Sequence, residues 1–279
     1  MAKLSRLFLS MGMLIIGLSC KQEHADLNTD ERRTLAEEVF RAGAHLPQGS
    51  PKSMTRIAKA IAIDSTYAEA LREHSVAYLK RGMPHKWKIW MDKAVYHDAK
   101  TWQPWRGYLY LWFYRDYKKA IADFNASDTL TPNFIDQPQG HSVDFWRGIA
   151  YLGLKDYENS IAFWNKHIAK ETEEAGEDWV ELEAFLYRGI ALYESGKKEK
   201  ALEDFEKIIR YFKSSADAKF YISKIRWQQG EKGEALSMLE GALRDYESGY
   251  YNQRPYVEAL RQIYPEDLSH LKSRIMQQP

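Results

Sequence analysis

The residues that could do chemistry are scattered. His24, His45, His74, His85, His97, His141, His167 and His270 form no HExxH or comparable pair, and Cys20, the single cysteine, can build neither a metal-ligand set nor a disulfide framework. No glycine-rich phosphate loop and no GxSxG elbow occurs, so no cofactor motif is present. Carboxylates cluster at Glu171-Thr172-Glu173-Glu174 and from Glu181 to Glu183, and such runs read as solvated helix faces rather than acid/base pairs. The expectation is a protein that is not an enzyme, with catalytic groups converging from distant positions as the remaining alternative. One chemical pattern does recur: Trp105-Arg106-Gly107, Trp146-Arg147-Gly148 and Tyr187-Arg188-Gly189, at intervals of 41 residues. Arg106, Arg147 and Arg188 could form a ladder of guanidiniums that captures a partner's carboxylates. Alternatively their stems pack between helices and their heads pair with acids on the adjacent repeat. The second reading is favoured, and it implies that Arg147→Leu leaves stability nearly unchanged or raises it.

The elements that must position these residues begin after a leader. The 279 residues allow one or two domains, and 44% hydrophobic content excludes a disordered chain. With 40 basic against 39 acidic side chains there is no electrostatic footprint for nucleic acid. The first twenty residues, MAKLSRLFLSMGMLIIGLSC, place Lys3 and Arg6 ahead of an apolar stretch from Leu7 to Leu18, with Ser19 before Cys20. This is the layout of a secretory signal peptide, too short for the roughly 20 apolar residues of a spanning helix. Gly17-Leu18-Ser19-Cys20 resembles the lipobox of bacterial lipoproteins, although Gly17 stands where a branched residue is usual. That resemblance implies cleavage after residue 19, lipidation of Cys20 by chains such as palmitate, and retention on a membrane through the lipid anchor alone. Lys21, in place of Asp, points to the outer membrane of a Gram-negative envelope. Loss of Lys3 and Arg6 with the leader changes the formal charge from +1 to −1.

Beyond the polar stretch to Asp30, apolar residues recur at three and four residue spacings and strand-like alternation is scarce. The sequence also repeats itself. DYKKAIADF at 116–124 is echoed by DYENSIAFW at 156–164, by KKEKALEDF at 197–205 and, more faintly, by EKGEALSML at 231–239. Upstream of these, small residues open a second pattern: Ser75 with Tyr78, Gly107 with Tyr110, Gly148 with Tyr151, Gly189 with Leu192 and Ser223 with Arg226. A large apolar residue follows sixteen places later at Met91, Trp164, Phe205 and Leu239, and seventeen later at Phe124. This resembles the tetratricopeptide repeat (TPR), a helix pair whose first helix carries a small residue and whose second carries the aromatic that fills the space beside it. The expected fold is all-α, an α-solenoid of TPR-like helix-turn-helix repeats with a C-terminal capping helix. Its expected divisions are the signal peptide (1–19), a tether with lipidated Cys20 (20–30), a degenerate first pair (31–64), the array (65–245) and closing helices (246–279), one or two of them from Tyr256 to Ile263 and from Pro265 to Met276.

In the repeat family, first-helix residues line a ligand-binding groove. Carried over by position, they are Tyr108 and Trp112, Phe145 and Ile149, Leu186 and Tyr193, then Phe220, Lys224 and Trp227. The set is mostly apolar and aromatic and lacks the Lys/Asn clamp for a peptide carboxylate found in chaperone-binding members, which suits an extended peptide or helix with apolar anchors. Whether these side chains are exposed, in the core, or beneath the terminal helices stays open at this point. The functional expectation is a membrane-anchored lipoprotein whose TPR scaffold mediates protein–protein interaction in the bacterial cell envelope, with an unidentified envelope protein or peptide as partner. A glycan- or peptide-binding lipoprotein of a nutrient-uptake system is the alternative, and an enzyme with dispersed catalytic residues the third.

Overall fold

A computed structural model describes residues 27–277 of the chain. The leader and Cys20 lie outside the described residues. Among the described residues there are thirteen α-helices, two short 3-10 segments and no strand, so the all-α expectation holds. In chain order they are α1 (Thr29–Ala44), α2 (Pro51–Ile63), α3 (Ala68–Lys80), α4 (Pro84–His97), α5 (Ala99–Phe113), α6 (Tyr117–Leu130), α7 (Val143–Gly153), α8 (Tyr157–Ala175), α9 (Leu182–Glu194), α10 (Lys198–Tyr211), α11 (Ala216–Gln228), α12 (Lys232–Glu247) and α13 (Pro265–Gln277). The chain forms two compact units that divide within α5, one ending at Trp102 and the other beginning at Gln103.

In the first unit α1 packs on α2 and α3 on α4. Asn28 starts α1 with a capping box, accepting from the Glu31 amide while Glu31 accepts from the Asn28 amide. Ser50 caps α2 ahead of Pro51, whose missing N–H costs nothing at a first helical position. In the second pair Ser75 stands over Met91, its hydroxyl 3.9 Å from the sulfur.

The second unit repeats that design. α7 packs on α8, α9 on α10 and α11 on α12, while α6 packs on α7, α8 on α9 and α10 on α11. At the heart of three of these pairs a glycine lies under the predicted aromatic, while in the pair α11/α12 the Ser223 hydroxyl donates to the Ala235 carbonyl at 2.7 Å. A Cβ added to Gly107 would stand 2.7 Å from the Phe124 ring, one on Gly148 2.5 Å from Trp164, and one on Gly189 2.7 Å from Phe205. Helices this close leave no room for a methyl group. Gly196 and Gly230 make the turns within two pairs in the left-handed region, and Arg115 and Lys155 adopt the same backbone in the turns between α5 and α6 and between α7 and α8. Asp116 and Asp156 then cap α6 and α8.

The longer linkers differ in kind. Residues 131–142 form a loop pinned by the Trp146 indole, which donates to the Pro138 carbonyl at 2.8 Å. By contrast α8 simply continues to Ala175 and stops at Gly176, whose φ is +102°. At the C-terminus only Pro265–Gln277 is helical, burying Leu268, Leu271 and Ile275. The expected helix from Tyr256 to Ile263 is not formed: Tyr256 and Arg261 both have positive φ, which interrupts a right-handed helix near each end of the stretch.

Two substitutions test this account of the pair. Gly148→Ala is expected to lower stability by about 1–3 kcal/mol, because Trp164 is enclosed and cannot yield. Lys155→Gly, at an exposed left-handed turn, is expected to raise it by up to about 1 kcal/mol. Urea denaturation followed by circular dichroism measures both, and an unaffected Gly148→Ala protein would contradict the close-packing account.

Candidate binding face

The three arginines occupy equivalent positions yet are held differently. Arg106 makes a two-pronged ion pair with Asp123 at 2.8 and 2.6 Å, and Arg188 an equivalent one with Asp204 at 2.8 and 2.6 Å. Both acids stand on the second helix of the same pair, not on the adjacent repeat. Burial raises the Asp204 pKa, against the pull of Arg188. Arg147 finds Phe163 at the corresponding place, 5.3 Å from its guanidinium, and turns to the preceding pair instead. It donates to the Phe124 carbonyl, to Asn125 and to Asp128 of α6, and to Asp144 of its own helix at 2.6 Å. With side-chain exposure of 2%, its guanidinium is turned to internal acceptors rather than to solvent.

Two of the eight histidines, His141 and His167, come together at one place. Ser142 caps α7, and its hydroxyl lies 3.2 Å from His167 Nδ1. His167 Nε2 lies 3.5 Å from Glu181, to which His141 Nδ1 also approaches at 3.1 Å. Burial works to raise the Glu181 pKa, but hydrogen bonds from His141 and His167 overcome it and bring it to about 2. The order Ser–His–Glu matches a nucleophile relay, yet the Ser142 oxygen accepts from the Phe145 amide as a helix cap, and Ser142 and His167 are buried. The cluster clasps the loop before α7 to the segment before α9.

The first helices α5, α7, α9 and α11 present the predicted groove residues. Trp112, Phe145 and Ile149 are no more than 1% exposed, and Leu186 and Phe220 are also buried. Phe145 turns into its own pair, edge-on to Trp164 at 4.8 Å. Tyr108, Tyr193, Lys224 and Trp227 keep partial exposure. Tyr108 and Trp112 both meet Trp146 edge-on, and the Lys224 ammonium lies over Tyr193 at 4.8 Å. As an open apolar trough the predicted set is therefore incomplete: part of it is core, and part is covered.

The cover is the non-helical segment 250–264, which crosses all four first helices. Ala216 of α11 donates its amide to the Tyr250 carbonyl at 2.9 Å. The Asn252 amide donates to Asp217 at 2.7 Å and its side chain to the Tyr187 hydroxyl at 3.1 Å. Arg254 lies over Trp112 at 4.2 Å and Trp146 at 5.1 Å and pairs with Glu183 at 3.2 Å. Arg115 donates to the Glu258 carbonyl. Arg261 then grips Glu194 with two hydrogen bonds, at 2.6 and 2.9 Å. Beyond it, Arg274 of α13 stacks on Trp227 at 4.6 Å. The sequence reading missed this segment because its side-chain partners lie 35 to 143 residues away. A signal was available in Arg254 and Arg261, which flank the mostly apolar stretch PYVEAL at 255–260.

Beneath the segment the electrostatics are strained. Burial raises the Glu183 pKa against the Arg254 charge, and it raises that of Asp217 to about 6, the Asn252 amide only partly offsetting it. Burial lowers the Lys224 pKa on the same face.

Against known proteins, residues 186–250 match the tetratricopeptide repeat. No curated protein matches the chain. Among solved structures, PilF of Pseudomonas aeruginosa superposes with a TM-score of 0.61 at 14% identity, over 87% of this chain and 99% of that one. PilW, described as a widely conserved type IV pilus biogenesis factor, gives 0.59 at 14%, over 88% and 100%. YrrB, described as a TPR protein with an unusual peptide-binding site, gives 0.53 at 17%, over 78% and 97%. These likenesses establish the fold, an α-solenoid of TPR-like helix pairs.

Two predictions follow from these contacts. Arg147→Leu is expected to cost about 3 kcal/mol rather than to be neutral, since it strips donors from the Phe124 carbonyl and Asn125 and removes one cation from buried Asp144. A thermal melt unchanged from the parent would refute this. For Asp217 the folded pKa of about 6 lies above the ordinary 3.8, so the folded state holds the proton more tightly and stability falls as pH rises from about 4 to about 6. Asp217→Asn is therefore expected to be near neutral at pH 4 and stabilising, by at most about 3 kcal/mol, at pH 7. Denaturant titrations at the two pH values check it, a pH-independent difference being the contrary result.

Proposed function

We propose that the protein is a lipid-anchored scaffold of the bacterial cell envelope that binds a segment of a partner protein on the first-helix face of its second unit and performs no reaction of its own. The observation that carries this reading is that the face already holds a non-helical polypeptide segment, residues 250–264, through side-chain and backbone contacts from all four first helices. Docking a polypeptide requires donors and acceptors for its backbone, and Ala216, Asp217 and Arg115 supply them to Tyr250, Asn252 and Glu258. The TPR match over residues 186–250 supports a scaffold, as does the likeness to YrrB, described as having a peptide-binding site. The likeness to PilW, described as a pilus biogenesis factor, favours an envelope role.

The lipid anchor rests on the sequence before the described residues: the apolar stretch ending at Cys20 and the lipobox-like Gly17-Leu18-Ser19-Cys20. Among the described residues no helix is long and apolar enough to cross a membrane, which leaves the acyl chains as the proposed means of attachment. The full-length chain, carrying a photo-crosslinking residue at Tyr193 of the first-helix face or at Lys200 on a second helix, tests both parts. Tyr193 should capture one defined envelope protein that Lys200 does not. Cys20→Ala should move the protein from the detergent phase to the aqueous phase. Equal capture from both positions would remove the binding face, and persistence of Cys20→Ala in detergent would remove the anchor.

A further inference from the structure

The segment on the first-helix face is held in a particular way. Its grip is largely ionic and hydrogen-bonded: Arg254 to Glu183, Arg261 to Glu194, and the Asn252 amide to Asp217. Its buried apolar anchors are Ala259, Leu260 and Ile263. Two of its residues, Tyr256 and Arg261, hold left-handed backbone that side-chain-bearing residues adopt at a cost, so the conformation is imposed by the face rather than intrinsic to the segment.

The fit is also incomplete. Asp217 is buried and meets no cation among the described residues. The indole N–H groups of Trp112 and Trp227 find no acceptor. Beside Asp217 and Glu183 a cavity of about 310 Å³ remains, walled by Leu186, Phe212 and Tyr250. A buried carboxylate without a cation, next to unfilled space, is what a ligand with one more cationic side chain would complete. The segment is tethered at both ends, by the turn at Gly249 after α12 and by α13, whose Leu268, Leu271 and Ile275 are buried. It can therefore lift off as a loop while the helix pairs stay packed.

We propose that the first-helix face is a receptor for an extended, arginine-bearing segment of a partner protein, and that residues 250–264 are an intramolecular stand-in which this ligand displaces. The inference rests on the scaffold reading above and supplies its specificity. The recognised pattern is two arginines seven residues apart, the first stacking on Trp112 and Trp146 and reaching Glu183, the second gripping Glu194. A tethered stand-in acts at an effective concentration of about millimolar, so it excludes weak competitors and admits only segments that make the full set of contacts.

The test uses a fluorescent peptide of residues 250–264 and the full chain. Arg254→Ala with Arg261→Ala weakens the stand-in without touching the receptor side. Anisotropy should show that the peptide binds this variant at least about tenfold more tightly than the parent. Adding Glu194→Lys to the variant, or replacing both peptide arginines by glutamate, should abolish binding. Equal affinity for parent and variant would overturn the proposal, as would no binding by a folded variant. If the double variant does not fold, Arg261→Ala alone is judged by the same readings, and its failure to fold would show the segment to be an indispensable strut, overturning displacement. Size-exclusion of the same samples reads the other occupant, since a dimer that exchanges these segments between copies would also overturn it. A failed peptide assay with capture at Tyr193 intact would refute the stand-in and leave the scaffold reading standing.

Discussion

A pair of helices is too thin to bury its own apolar face, and every other feature of the second unit follows from how this chain meets that constraint. The solution is a small residue under a large ring. Gly148 lets Trp164 lie against the α7 backbone, and the Trp164 ring then stacks on Tyr187 of the next pair, 5.9 Å between centroids. Phe205 does the same beneath Gly189 and passes the contact to Tyr221 at 5.1 Å. Each aromatic thus serves its own pair and the next one. The stack must still end somewhere, and α13 closes it with its three buried apolar residues packed against α11 and α12.

Charge is arranged around this stack according to what the second helix offers. Arg106 and Arg188 meet an aspartate across the pair, and each ion pair closes locally. In the middle pair Phe163 takes that place, and Arg147 reaches back to the preceding pair through four different groups. One substitution in a repeat thereby converts a contact within a pair into a contact between pairs. Such an arrangement contributes more to holding neighbours in register than to net stability, since a buried charge must first be stripped of water.

The legible part of the sequence was the part that repeats at fixed spacing. Gly107 with Phe124, Gly148 with Trp164 and Gly189 with Phe205 could be read because both partners lie within one helix pair and their spacing is set by helix geometry. The difference between Arg147 and its two counterparts was in principle legible too, since Asp123, Phe163 and Asp204 stand at the same repeat position. The covering segment was not. Its contacts run from Arg254 to Glu183 and from Arg115 to Glu258, separations that no local period encodes. Whether the first-helix aromatics are exposed, in the core or covered stayed open in the sequence for the same reason. Trp112 is covered by Arg254, a residue far downstream in the chain.

The aromatic and acidic components of this face have separate origins, and that difference decides what it can recognise. Trp112, Trp146 and Tyr187 are there because the stack needs rings, whereas Glu183 and Asp217 stand in the first turns of α9 and α11, each six residues before the small residue of its pair, and Glu194 ends α9. Burial raises the pKa of Glu183 and Asp217, so as packing elements they are liabilities. A fold that only had to cover its first helices would be more stable with amides or apolar side chains there. When the segment lifts, these carboxylates regain water, which lowers the cost of opening. When a ligand arrives, that desolvation must be offset by cations in matching positions. The face therefore discriminates by charge placed over rings rather than by apolar area, and its affinity for any partner is the difference between two sets of contacts, one of which the chain supplies to itself.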